Sequence, residues 1–107
     1  MSTTLQHQGE VLRLLRKAKP PVVKAVIRTA SPNLISALCE CCHNVLKGHV
    51  PLSRAQKQRL SRYRAGLRTI TKNRLSVKKK KQILQQGGFL GALLGPIVKV
   101  LGSVLGL

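Results

Sequence analysis

The sequence contains no Asp and no Trp, and its only acidic residues are Glu10 and Glu40. Paired-carboxylate acid–base chemistry is therefore almost excluded, and so is a carboxylate-held Mg²⁺ or Ca²⁺ site. A Ser-His-Asp arrangement cannot be built, and neither glutamate lies in a motif that would make it a substitute third member. Tyr63 and Phe89 are the only aromatic residues, which leaves little for stacking on unpaired bases. No run alternates apolar and polar residues long enough for a strand. The opening ten residues are polar and no apolar run follows them, so a secretory leader is not expected. The cysteines, Cys39, Cys41 and Cys42, form one odd-numbered cluster, for which a reducing compartment is the simpler reading.

What the chain has in excess is positive charge. Its 107 residues carry a net charge of +18, and the charge is unevenly placed. Residues 1–46 hold six basic and two acidic side chains, residues 47–86 thirteen basic and none acidic, and residues 87–107 only Lys99. Twelve of the basic side chains fall within residues 54–81: Arg54, Lys57, Arg59, Arg62, Arg64, Arg68, Lys72, Arg74, Lys78, Lys79, Lys80 and Lys81. A field this one-sided repels itself and attracts polyanions, either nucleic-acid phosphates or anionic lipid headgroups.

Helical signals run through the chain. A short helix is expected over residues 8–18, ended by Pro20-Pro21, which open a second helix to about Arg28. Ser31-Pro32 is an N-cap followed by proline at the first helical position, and Lys47-Gly48 suits the far end of that third helix. Ser53 and Gln56 form a capping-box pattern with Leu52 as a hydrophobic staple. The fourth helix should continue to Ile70 or Lys72 along a seam of Leu60, Tyr63, Leu67 and Ile70. Ser76 caps a fifth, over residues 77–86. The expected fold class is all-α, a small bundle of about four to five short helices with an apolar Gly-rich C-terminal tail. The corresponding segments are a helical domain over 1–72, a lysine-rich helix and linker over 73–86, and the tail over 87–107.

That tail is the counterpart of the basic segment. Phe89, Leu90, Leu93, Leu94, Ile97, Val98, Val100, Leu101, Val104 and Leu105 are candidate membrane- or protein-docking residues. Gly91/Gly95 and Gly102/Gly106 give two Gly-x-x-x-Gly spacings, which let helices approach closely in lipid. Pro96, Lys99 and the glycines weaken a stable span and favour a peptide lying in the interface. A membrane surface or a protein surface is the expected destination, and folding back onto the chain's own core is the least expected one.

The cysteines read as structural. Cys39 and Cys42 are expected in the core and Cys41 at its edge. A zinc site would need His7, His43 or His49 to complete its ligands and lacks the second distant pair that such sites use. No metal and no cofactor is expected, and no enzyme. The basic segment points to backbone-directed binding of double-stranded DNA, more than RNA, with Gln56, Gln58 and Asn73 as the only candidates for reading bases. Lys78 to Lys81 also have the composition of a nuclear-import signal.

The runs Ala30-Ser31-Pro32-Asn33-Leu34-Ile35-Ser36-Ala37-Leu38-Cys39-Glu40, Pro51-Leu52-Ser53-Arg54-Ala55-Gln56-Lys57 and Lys78-Lys79-Lys80-Lys81-Gln82-Ile83-Leu84-Gln85-Gln86-Gly87-Gly88-Phe89-Leu90 lead into a Gly/Leu-rich end. From about Leu12 onward the chain resembles the short basic proteins of polinton (Maverick) elements and adintovirus-like, adenovirus-related DNA viruses. The resemblance implies a virion-associated role, with presence in the host nucleus or cytoplasm during infection. Viruses of this kind carry basic core proteins that condense DNA and separate membrane-lytic proteins, and this chain has a feature of each. Capsid proteins are implied as partners, and a capsid-lining structural role is a further alternative. The resemblance also implies processing at Gly87-Gly88, although Gln85 stands where an aliphatic residue is the pattern.

Overall fold

The computed structural model describes residues 7–72, 74–86 and 88–105, with side chains as far as Val100. Among the described residues seven helices follow one another: α1 (Gly9–Lys17), α2 (Pro20–Arg28), α3 (Pro32–Leu46), α4 (Arg54–Ser61), α5 (Arg64–Ile70), α6 (Val77–Leu84) and α7 (Phe89–Leu105). The all-helical class holds, with more helices than the sequence predicts.

Local chemistry sets most of the boundaries. Pro20 and Pro21 occupy the first turn of α2, and Pro32 opens α3, where a missing N–H has no helical partner to lose. The Ser31 hydroxyl accepts a hydrogen bond from the Leu34 N–H at 3.2 Å. At the other end of α3, the Gly48 N–H donates to the Val45 carbonyl at 3.2 Å and the His49 N–H to the Asn44 carbonyl at 2.9 Å. This paired C-terminal closure needs a left-handed residue, and Gly48 supplies it with φ +76°.

Two elements account for the extra helices. The sequence predicts one helix from Arg54 to about Lys72, and the structure divides it. The N–H groups of Arg62 and Tyr63 donate three residues back, to Arg59 at 3.4 Å and Leu60 at 2.9 Å. The Ser61 hydroxyl donates to the Gln58 carbonyl at 2.6 Å, drawing that acceptor into a local side-chain bond. The chain turns there and α5 starts afresh. Leu60, Leu67 and Ile70 still face the core and Tyr63 is half-buried, so the apolar seam survives the break.

The second element is the tail, which forms the helix that the others enclose. α7 packs most extensively on α1, then on α4 and α3. Phe89, Leu90, Leu93, Leu94 and Ile97 are buried, as are Ala92 and Pro96. In this structure these side chains are core and are not displayed as an exposed docking surface. Val98 and Val100 are half-buried, and the side chains of Leu101, Val104 and Leu105 lie outside the described residues. The described part of the 87–107 segment thus shares one core with the residues before it. Composition gives the reason. With Tyr63 as their only aromatic, residues 1–86 would close only a small core without α7. Burying the five large side chains of α7 contributes on the order of 10 kcal/mol gross.

α3 is the other central element, with Leu34, Ile35, Ala37, Leu38, Cys41 and Cys42 buried. The cysteine expectation is half corrected. Cys42 is core as expected, but Cys41 is equally buried and Cys39 is the one at the edge. Helices on several sides of α3 widen its buried stripe to include position 41. The resulting body measures 31 × 27 × 26 Å, and its basic helices α4, α5 and α6 are all packed on apolar partners.

Candidate nucleic-acid interface

The basic helices hold their charges on a fixed frame. In α4 the capping box is complete: the Gln56 N–H donates to the Ser53 hydroxyl at 3.1 Å, and the Ser53 N–H donates to the Gln56 side-chain oxygen at 2.9 Å. Leu60 anchors the helix inward, leaving Arg54, Lys57, Arg59 and Arg62 exposed. α5 is anchored by Leu67 and Ile70, with Arg64 and Arg68 exposed. Ser76 caps α6 by accepting from the Lys79 N–H at 3.2 Å, and Leu84 is its buried residue.

The four-lysine run does not present one uniform face. Lys78 and Lys79 are exposed, whereas Lys80 and Lys81 are half-buried. The Lys81 ammonium donates to the Arg28 carbonyl at 3.0 Å. It thereby caps the C-terminal end of α2, where helix carbonyls lack partners and the dipole favours a cation. One turn further along α6, the Gln85 amide donates to the Lys24 carbonyl at 3.4 Å. Lys80 turns toward Cys39. Burial raises the pKa of the Cys39 thiol above its ordinary value, and the nearby Lys80 charge opposes that rise.

Some of these charges line three shallow depressions, whereas Arg54, Arg62, Arg74 and Lys79 line none of them. Lys57, Arg64 and Arg68 rim the first, over a partly apolar floor that includes Val45, Leu46 and Leu52. Arg28, Lys78 and Lys81 line the second, with Gln82 and Gln85 beside them. Lys72 and Lys80 meet Glu40 and His43 of α3 in the third. Arg59 stands apart, with its guanidinium 3.9 Å from the point a Cβ would take on Gly91, so it lies over the start of α7.

Of the twelve basic residues the sequence singles out, ten are exposed and Lys80 and Lys81 are half-buried. Arg28 is the residue that sequence reasoning misses. It lies 53 positions from Lys81, and no local pattern brings the two together. The base-reading candidates fare unevenly. The Gln56 amide is engaged in the capping box, Gln58 is exposed, and Asn73 lies outside the described residues.

Gly88 is exposed with φ +80°, between α6 and α7, while Gly87 lies outside the described residues. Among the described residues no three His, Cys or Glu side chains come together as a metal site. Burial pushes the Cys41 thiol up to about 12, helped by Glu40 and Cys39, and pushes Cys42 well above its ordinary value. Neither is poised as a thiolate nucleophile. Among the described residues the arrangement offers many exposed cations carried on packed helices. Comparison with protein-family models, with curated proteins and with solved structures yields no match to this chain.

Proposed function

We propose that this chain is a non-enzymatic protein that binds double-stranded DNA through its phosphates, with little sequence preference, and acts as a core-type component of a virion. One observation carries the reading: of ten exposed Lys and Arg side chains from residues 54–79, seven stand on three packed helices and Arg62, Lys72 and Arg74 lie in the connections between them. No acidic residue occurs anywhere in residues 47–86 to compensate them. Charges fixed on a folded frame meet a regular phosphate array at lower entropic cost than charges on a loose tail. The resemblance to polinton and adintovirus-like proteins supplies the virion setting.

The test is duplex binding followed by fluorescence anisotropy across a salt series. Affinity should fall steeply with salt, and R62Q/R64Q/K78Q/K79Q should reduce the slope by about one per neutralised side chain. A variant with unchanged affinity and slope would remove the reading.

Membrane activity through α7 is the second reading, favoured by that helix's composition. No single described helix is long and apolar enough to cross a membrane, and α6 with α7 pass that test only as a pair bent by 91°. Insertion would require α7 to leave the core. Dye release from anionic liposomes, with α7 becoming accessible to protease at the same time, is its expected signature.

A further inference from the structure

The basic surface is divided. The depression rimmed by Lys57, Arg64 and Arg68 is built from α3, α4 and α5. The depression holding Arg28, Lys78 and Lys81 is built from α2 and α6. The two share no residue and no helix. Where α5 leads into α6, Glu40 lines the surface together with Lys72 and Lys80. Its negative charge offsets the field there, so this surface is a weaker attractor than the two regions without an acidic residue.

The second region is rigidly built. Lys81 and Gln85 tie α6 to the Arg28 and Lys24 carbonyls of α2. With those backbones fixed, the Arg28 and Lys78 side chains remain exposed above them. Neither charged region contains an acidic residue.

Charge arithmetic gives the second region a purpose. A duplex lying along the 31 Å dimension presents roughly 18 phosphates, at about one per 1.7 Å. Only those on the near side are within reach of one protein face. A docked duplex therefore leaves much of the +18 charge uncompensated, and that excess attracts more polyanion.

We propose that the Lys57–Arg64–Arg68 region and the Arg28–Lys78 region are two separate phosphate-binding faces, so that one molecule holds two duplex segments at once. This rests on the DNA-binding reading above and adds the mechanism by which such binding compacts DNA. Arg28, which lies far outside the basic segment of the sequence, becomes a DNA-contacting residue.

The experiment mixes two pools of one short duplex, donor-labelled and acceptor-labelled, with the full-length protein. Energy transfer between pools reports bridging, and anisotropy of one pool reports binding. Circular dichroism checks that each variant is folded. The wild type should give both signals. R28Q/K78Q and K57Q/R64Q/R68Q should each still bind one duplex but lose bridging, because the altered face weakens by roughly ten-fold or more. Undiminished energy transfer in both folded variants would overturn the two-face inference and leave single-duplex binding standing. Wild-type protein that binds without bridging would overturn it too. Wild-type protein that gives no anisotropy change even at low salt would remove the DNA-binding reading itself.

Discussion

The ring of Tyr63 meets the ring of Phe89 edge-on, with centroids 5.6 Å apart and planes at 77°. Tyr63 sits where α4 breaks into α5, and Phe89 is the first residue of α7. The contact therefore joins the basic helices to the core helix. Two glycines make room for it. A Cβ on Gly66 would lie 3.2 Å from the Phe89 ring and 3.3 Å from Ile83. A Cβ on Gly88 would lie 2.5 Å from the Tyr63 hydroxyl oxygen. In the sequence Gly66 is only a helix-weakening residue, worth about 1 kcal/mol against Ala. In the structure it is the position where α5, α6 and α7 approach so closely that a Cβ would require the Phe89 or Ile83 side chain to give by a few tenths of an ångström.

Gly88→Ala should destabilise more than Gly48→Ala. Both positions have positive φ, +80° and +76°, but nothing lies within 4 Å of a Cβ on Gly48. Gly48→Ala should cost about 1–2 kcal/mol, the penalty of left-handed backbone alone. Gly88→Ala adds the clash with Tyr63. The clash has a signature in a double-mutant cycle with Tyr63→Phe, since the nearest remaining ring atom would be 3.6 Å away. Urea denaturation should show G88A/Y63F less destabilised than the sum of its single variants. Additive behaviour would show that the hydroxyl is not the obstacle.

A chain ending at Gln86 should lose its fold and not merely its tail. The burial contributed by α7, on the order of 10 kcal/mol gross, is as large as the whole net stability of an ordinary domain. Circular dichroism should show a loss of helix well beyond the residues removed, together with loss of a cooperative thermal transition. A truncated chain with an unchanged transition would mean that residues 1–86 close a core by themselves. Phe89→Ala is the milder form of the same test and should cost about 3–5 kcal/mol.

The helices were legible in the sequence because their signals are local. Ser31-Pro32, Ser53 with Gln56, and Ser76 each cap the helix they mark, and each bond spans only a few residues. The position of α7 was not legible. A helix apolar on nearly every side meets the requirements of a membrane and of a protein core equally well. What decides between them is whether the rest of the chain leaves a space of that shape, and contacts between α7 and α1 are set by no local pattern. The candidate site divides in the same way. The exposed charges of α4 and α5 follow from helical spacing around Leu60, Leu67 and Ile70. The Lys81–Arg28 link and the Glu40 side of the basic surface depend on how distant helices pack.

The buried thiols make stability fall at high pH. Burial raises the pKa of Cys39, Cys41 and Cys42 in the fold above the ordinary value of 9.0, with Cys41 at about 12. A raised folded-state pKa means that the native state holds its proton more tightly than the unfolded chain. That contribution is complete below pH 9.0 and is lost as pH rises toward 12. Cys41 should remove on the order of 1 kcal/mol per pH unit within that window, and Cys39 and Cys42 act in the same direction. Urea midpoints measured at pH 7, 9 and 10.5 check this, with Cys41→Ala as the comparison that should flatten the decline. An equal decline in both proteins would assign it to other groups. Native-state alkylation should meanwhile modify Cys39 before Cys41 or Cys42, since only Cys39 reaches the surface.

Lys79 and Lys81 should separate binding from stability, although they are two residues apart in one lysine run. Lys79 is exposed, whereas the Lys81 ammonium donates to the Arg28 carbonyl at 3.0 Å and closes the end of α2. Lys79→Gln should lower the salt slope of duplex binding by about one and leave the urea midpoint unchanged. Lys81→Ala should lose about 1 kcal/mol of stability, the value of a partly exposed hydrogen bond to a helix end. Its duplex affinity should fall mainly because α6 is no longer tied to α2. Lys81→Arg preserves the charge and a donor and should recover most of the stability. If Lys81→Ala matched Lys79→Gln in both measurements, the run would be acting as four equivalent charges, and the link between α2 and α6 would contribute nothing measurable.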